Sequence, residues 1–304
     1  MVEKEAVGRL KNRFKMIDMK YDIFKKKILL KREVISVLGT IIMLFIFSCS
    51  TEPQQKKKEI SKPKVKIDVP VFNADSAYIF VEKQVSFGPR VISSKPWKNC
   101  AIWLEKKFRT YTPDVIVQEA AITTYDGKNH TLKNIIASFS QEKVNRIALF
   151  AHWDSRHIAD HDTENQNSPI LGANDGGSGV GVLLELARQF SMKNPKIGVD
   201  IILFDAEDYG QPENSNFPIM QDSWCLGSQH WSKTPHQSNY NARFGILLDM
   251  VGAKNASFYM EGNSSYFASS ILQKVWKKGH EIGFGRYFEY KNGPEIMDDH
   301  VYVN

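Results

Sequence analysis

Cysteine is scarce: the chain holds three in 304 residues. A scaffold built on many disulfides is therefore excluded. Cys49 falls in the leader, which leaves Cys100 and Cys225 as either one bridge or two buried free thiols. Long apolar runs are also missing. The uncharged apolar run over residues 34–47 is short for a membrane-spanning helix, which needs about 20 apolar residues. No internal repeat is visible. Acidic residues are thin at the start: residues 1–66 carry 17 Lys/Arg against 7 Asp/Glu, and the remainder 23 against 27. The overall charge of +6 thus belongs to the leader and tether, and the rest is mildly acidic, which argues against a nucleic-acid platform.

What is present divides the chain. Basic residues 25–27 and 31–32, then the short apolar run, then Ser48-Cys49, follow signal-peptide grammar. Residues 46–49 (I-F-S-C) resemble a bacterial lipobox with Cys49 as the acylated residue. Residues 1–49 are read as leader and lipoprotein signal, 50–70 as a polar disordered tether, and 71–304 as the folded domain. The expectation is an exported protein, lipid-anchored to a bacterial membrane, periplasmic or at the cell surface. The apolar content of 42% is ample for a core.

Within the domain, apolar periodicity predicts helices over 72–87 (capped by Asn73 or Asp75), 97–108, 179–191 and 264–282. Alternating or all-apolar runs predict strands over 115–122, 134–139, 146–150, 199–204, 244–250 and 257–260, with 244–250 buried. Strands interleaved with helices indicate an α/β fold: three layers, a central mostly parallel or mixed sheet flanked by helices. Ligands in such sheets sit at the carboxyl ends of strands.

Acids gather at those ends. His152 and Asp154, two apart, share one face of a strand, so His152 can meet a metal or substrate while Asp154 supports it. Asp175 stands in a Gly-rich turn before a helix, where the helix N-terminus keeps it ionised. Asp205, Glu207 and Asp208 follow a buried strand; three acids there are costly unless something such as a divalent cation neutralises them. Asp249 closes the next strand, and Asp298-Asp299-His300 lies in a polar turn. Each signal alone has a commonplace structural reading, such as a helix cap or a solvated loop. Their repetition at successive strand ends points to a hydrolytic zinc site.

The motifs A-H-W-D-S (151–155), G-A-N-D-G-G-S-G (172–179), F-D-A-E-D-Y-G (204–210), W-C-L-G-S-Q (224–229), L-L-D-M-V-G-A (247–253) and D-D-H (298–300) resemble the zinc-dependent aminopeptidase superfamily. Within it they resemble the glutaminyl cyclase branch, lipoprotein members especially. The resemblance implies one Zn2+ held by Asp175 and Asp208, with Glu207 as general acid/base and Asp249 and Asp299 in a hydrogen-bond network around the reacting amine. It implies a substrate pocket with Trp224 and His152. The substrates would be peptides or proteins with an N-terminal Gln, converted to pyroglutamate with release of ammonia. The third zinc ligand of the family is a His beyond D-D-H, so the domain is expected to be incomplete at its C-terminus, with His300 not the replacement. An aminopeptidase of the same superfamily is the alternative, with two zinc ions bridged by Asp175 and His152 and Asp249 as further ligands. An inactive truncated scaffold is a third reading. Trp153, the Trp224 loop and D-D-H favour the cyclase.

Overall fold

The computed structural model describes residues 69–304. The leader, Cys49 and nearly all of the tether lie outside the described residues.

The first helix, α1 (Ala74–Val85), starts where Asn73 accepts a hydrogen bond from the Ser76 amide at 2.9 Å, and Asp75 in its first turn suits the helix dipole. Ser94 caps α2 (Lys95–Arg109) on the Trp97 amide. One face of α2 buries Trp97, Cys100, Ala101, Leu104 and Phe108, while Lys106, Lys107 and Arg109 sit at its carboxyl end. The chain then forms β1 (Val115–Thr123), β2 (Asn129–Phe139) and β3 (Arg146–His152), crosses through α3 (Gly177–Met192), and returns as β4 (Gly198–Phe204). After α4 (Leu226–Lys233) and β5 (Gly245–Leu247) come β6 (Phe258–Met260), α5 (Gly262–Glu281), β7 (Phe288–Asn292) and the short α6 (Asp299–Tyr302).

Five strands make one mixed sheet in the order β1-β2-β4-β3-β5. β1–β2 and β2–β4 are antiparallel, and β3 runs parallel to both β4 and β5. All seven residues of β4, the central strand, are buried. Its side chains alternate between two cores, as the strand period requires. Val199, Ile201 and Leu203 face a large core with Phe80, Leu104, Phe108, Val180 and Leu183 from α1, α2 and α3. Ile202 and Phe204 face a smaller one with Phe150 and Trp231. Helices on both faces of one sheet give the three layers that alternating elements imply.

One expectation is corrected. The 244–250 segment is not a buried strand: only Gly245–Leu247 pair, on one side, with β3, and the pairing residues are partly or fully exposed. The edge position leaves one flank uncovered. The helix expected over 264–282 is present as α5; it buries only Leu272 and Gly279 and breaks at Ala268. Cys100 and Cys225 are both buried and both free. The helix α4 and strand β7 carried no clear periodicity and emerge only from the fold. Among the described residues, no helix is long and apolar enough to cross a membrane.

Candidate active site

Parallel pairing of β3 with β4 sets His152 opposite Phe204, so the two strands end side by side. The Trp153 amide still bonds to the Phe204 carbonyl at 3.0 Å, after which the chains part. This register brings A-H-W-D-S against F-D-A-E-D. Asp154 joins them: its carboxylate accepts from the Glu207 amide at 3.2 Å and the Asp208 amide at 3.1 Å. It also lies 3.4 Å from His152 Nδ1. Ala206 adopts a left-handed φ of 53°, which turns the backbone between Asp205 and Glu207.

The third strand-end partner arrives from α3. Gly176 precedes this helix with φ 69°, and a Cβ there would lie 2.8 Å from the Asp154 carbonyl oxygen and 3.0 Å from His152 Cε1. Glycine alone lets the turn lie on the His152 ring, which places Asp175 Oδ1 2.9 Å from His152 Nε2. Asp249, just beyond β5, comes within 3.3 Å of the same nitrogen. Arg90, fully buried, fastens the layers beneath: it donates to the carbonyls of Trp153 (2.8 Å), Leu171 (2.7 Å) and Gly172 (2.6 Å).

Two donor groups result. His152, Asp175 and Asp208 each offer a ligand atom, all within 4.8 Å of one another, and so do Glu207, Cys225 and Asp298. The first group fits a divalent cation by its chemistry. It pairs one imidazole with two carboxylates, a donor set suited to zinc. Asp208 Oδ2 is buried with no hydrogen-bond partner. Imidazole Nε2 faces the acids while Nδ1 faces Asp154, an arrangement that holds a ligating His in one orientation. Glu207 stands outside this group, with Oε2 3.9 Å from His152 Nδ1.

The electrostatics agree. Burial opposes charge on His152, yet its contacts with Asp154, Asp175 and Asp249 outweigh it and hold the ring's pKa well above the ordinary range. Burial would raise Asp175, but His152 brings it below its usual value. Burial, with Asp175 and Asp154 nearby, pushes Asp208 up to about 7. Glu207 is pushed well up by burial and by Asp208, Asp299 and Asp298. So many acids around one imidazole need added positive charge to ionise together.

Not every acid at the strand ends belongs to this group. Asp205 is fully buried and satisfied by donors: Trp97 Nε1 at 3.0 Å, the Lys133 amide at 2.7 Å and the Ala206 amide at 2.8 Å. It is an anchor for α2, so no cation is required to neutralise it. Asp299 is fully buried with neither carboxylate oxygen hydrogen-bonded, while the neighbouring Ser228 hydroxyl donates to the Cys225 carbonyl. Asp298, one residue earlier, is the acid of this turn that groups with Glu207. His300 lies 3.3 Å from Glu261 and belongs to neither donor group. Trp224 is half-buried beneath the Arg156 guanidinium, 4.3 Å from its ring. Arg156 also donates to the Asp208 carbonyl at 3.0 Å, linking the cation-type group to this aromatic. Asp298 and Cys225 lie inside motifs already noted, and Arg156 directly follows one. Arg90 carried no sequence signal, since its role exists only once three loops converge.

A sequence profile of peptidase family M28 matches residues 134–304, more than half of the chain and every strand-end acid described above. The chain belongs to peptidase family M28. This M28 domain is similar to the solved structure of a Bacteroides thetaiotaomicron glutaminyl cyclase bound to N-acetylhistamine, with 49% identity and a TM-score of 0.76 over 78% of this chain and 82% of that one. It is equally similar to a Zn-dependent exopeptidase from Parabacteroides distasonis, with 51% identity and a TM-score of 0.76 over 78% of this chain and 81% of that one. Among curated proteins, a probable zinc metalloprotease of Pyrenophora tritici-repentis is 30% identical over 194 residues, 58% of this chain and 41% of its own. The M28 chain spans between 30% and 41% of the length of the three curated relatives it matches.

Proposed function

We propose that this protein is a glutaminyl-peptide cyclotransferase: it closes an N-terminal Gln into pyroglutamate and releases ammonia. The observation that carries the reading is the separation of Glu207 from the His152–Asp175–Asp208 group. It leaves one buried carboxylate beside the cation site and free to move a proton. Similarity at 49% identity to a glutaminyl cyclase supports it.

His152, Asp175 and Asp208 would hold one zinc ion, with Asp154 orienting the imidazole. When bound, the ion supplies a Lewis acid for the γ-amide carbonyl. Glu207 takes a proton from the α-amine as the new C–N bond forms, and gives it to the departing amide nitrogen as that C–N bond breaks, so ammonia leaves. Attack within one residue profits from effective molarity, so the site chiefly holds and polarises. Asp298 and Asp249, around Glu207 and His152 respectively, would help hold the amine. Trp224 and the aliphatic part of Arg156 would wall the pocket.

The assay is ammonia release from a Gln-initiated peptide, with zinc measured on the same sample. In Glu207→Gln, turnover falls by at least about 100-fold, the scale of a general acid/base contribution, with zinc content unchanged. Unaltered turnover would refute the proton-transfer role.

A second reading, a two-zinc aminopeptidase, has its own observation: His152 Nε2 faces Asp249 as well as Asp175, as two ions bridged by Asp175 would require. Similarity to a Zn-dependent exopeptidase supports it too. Two zinc ions per chain and release of a free N-terminal amino acid would decide for it. Export and lipid anchoring through Cys49 rest on the leader alone. The assignment of 71–304 as a single catalytic domain rests on the described residues forming one compact unit.

A further inference from the structure

Glu207 has two carboxylate oxygens, and the fold treats them differently. Oε2 is the oxygen near His152. Oε1 accepts from the Cys225 thiol, with Sγ at 3.3 Å. Cys225 is fully buried. Its φ of 57° is left-handed, a backbone state that residues other than glycine seldom hold without some compensating contact. That state lets two amides staple the loops together: Cys225 N donates to the Glu207 carbonyl at 3.0 Å, and Leu226 N to the Ala206 carbonyl at 3.1 Å. The thiol is thus a third tie between 225–226 and 206–207, and it acts on the side chain rather than the backbone. Burial and the nearby Asp299 and Glu207 push the thiol's pKa upward, so it stays protonated and able to donate.

We propose that Cys225 is a positioning residue: its thiol holds Glu207 Oε1 and thereby presents Oε2 to the reacting amine. This rests on Glu207 being the proton carrier. A thiol is a weak donor of about the right reach, enough to select one carboxylate rotamer. A hydrophobic side chain of the same size would fill the space without selecting it.

The test uses the full chain and two variants at this position. Cys225→Ala removes the donor, and Cys225→Ser, nearly the size of Ala, keeps one. For a Gln-initiated peptide, kcat falls about three- to tenfold in Cys225→Ala, the worth of one hydrogen bond, with KM and zinc content unchanged. Cys225→Ser recovers most of the loss. The second readout is the infrared S–H stretch, isolated as wild type minus Cys225→Ala. It lies below the band of Cys100, which sits in the apolar core, and moves up to that band in Glu207→Ala. Wild-type kcat in Cys225→Ala overturns the proposal, as does an S–H band for Cys225 that coincides with Cys100. A wild-type protein that releases no ammonia removes the cyclase reading by itself. The kinetic comparison is then made on amino-acid release, and the infrared band decides the thiol–carboxylate contact in either case.

Discussion

Replacing Asp154 with Asn tests the clamp on which the site depends. The side chain is 1% exposed and meets three groups: the Glu207 and Asp208 amides and the His152 ring. Oδ1 serves Glu207 and His152, while Oδ2 serves Asp208. An amide offers one acceptor and one donor. In its better orientation Asn keeps the first pair and turns its NH2 against the Asp208 N–H. One hydrogen bond to a charged acceptor is lost inside the protein, at about 1.5–3 kcal/mol. In a domain of this size each kcal/mol moves Tm by about 2–4 °C, so the metal-free variant should melt roughly 3–12 °C lower. Zinc affinity should fall about 10- to 100-fold, because the imidazole and the Asp208 backbone lose their common support. Calorimetric melting in chelator measures the first effect, and competition for zinc against a fluorescent chelator measures the second. A variant that melts within about one degree of wild type and binds zinc equally well would show that Asp154 holds nothing in place.

Other outcomes follow from the same geometry. Gly176→Ala drives a Cβ against the Asp154 carbonyl and the His152 ring at a positive φ, so zinc affinity should fall by at least about tenfold; equilibrium dialysis reads it. Trp97→Phe removes the indole donor to Asp205 and should cost about 1–3 kcal/mol in urea unfolding, with zinc binding intact. The pH dependence has a definite sign. Asp208 and Asp299 ordinarily titrate near 3.8 but are held at about 7 and about 8 in the fold, chiefly by burial. The folded chain therefore binds more protons than the unfolded one between these values. Stability of the metal-free protein should fall as pH rises from about 4 towards 8. Zinc affinity runs the other way and rises through pH 7, since Asp208 must lose its proton to bind. Chelator-treated melts between pH 5 and 8 check the first, and Asp208→Asn should flatten part of the slope.

Local pattern alone was enough for much of this protein. Period-two and period-3.6 spacing located β1 to β4 and helices α1 to α3, because each buries one face or both and must repeat accordingly. Acids and glycines at strand ends marked Asp175, Glu207, Asp208 and Asp249, since charge directly after a buried strand is costly without a purpose. Pattern failed where burial depends on distant neighbours. The apolar segment at 244–250 looks like a core strand, yet it is an edge, because nothing in the described residues pairs with its far side. The roles within the acidic clusters were likewise invisible. Asp205 and Asp208 are three residues apart and chemically identical, but one meets Trp97 and two amides while the other has a bare oxygen facing His152 and Asp175. Besides burial, Asp298 and Asp299 both raise the Glu207 pKa and Asp298 offers a ligand atom beside it, while His152 joins the cation-type group as its third donor. Composition and spacing thus determined the layers and the gathering of acids at their edge. The partner of each side chain was decided by strand register and loop approach, because a hydrogen bond is settled within a few tenths of an ångström, a distance that no one-dimensional pattern records.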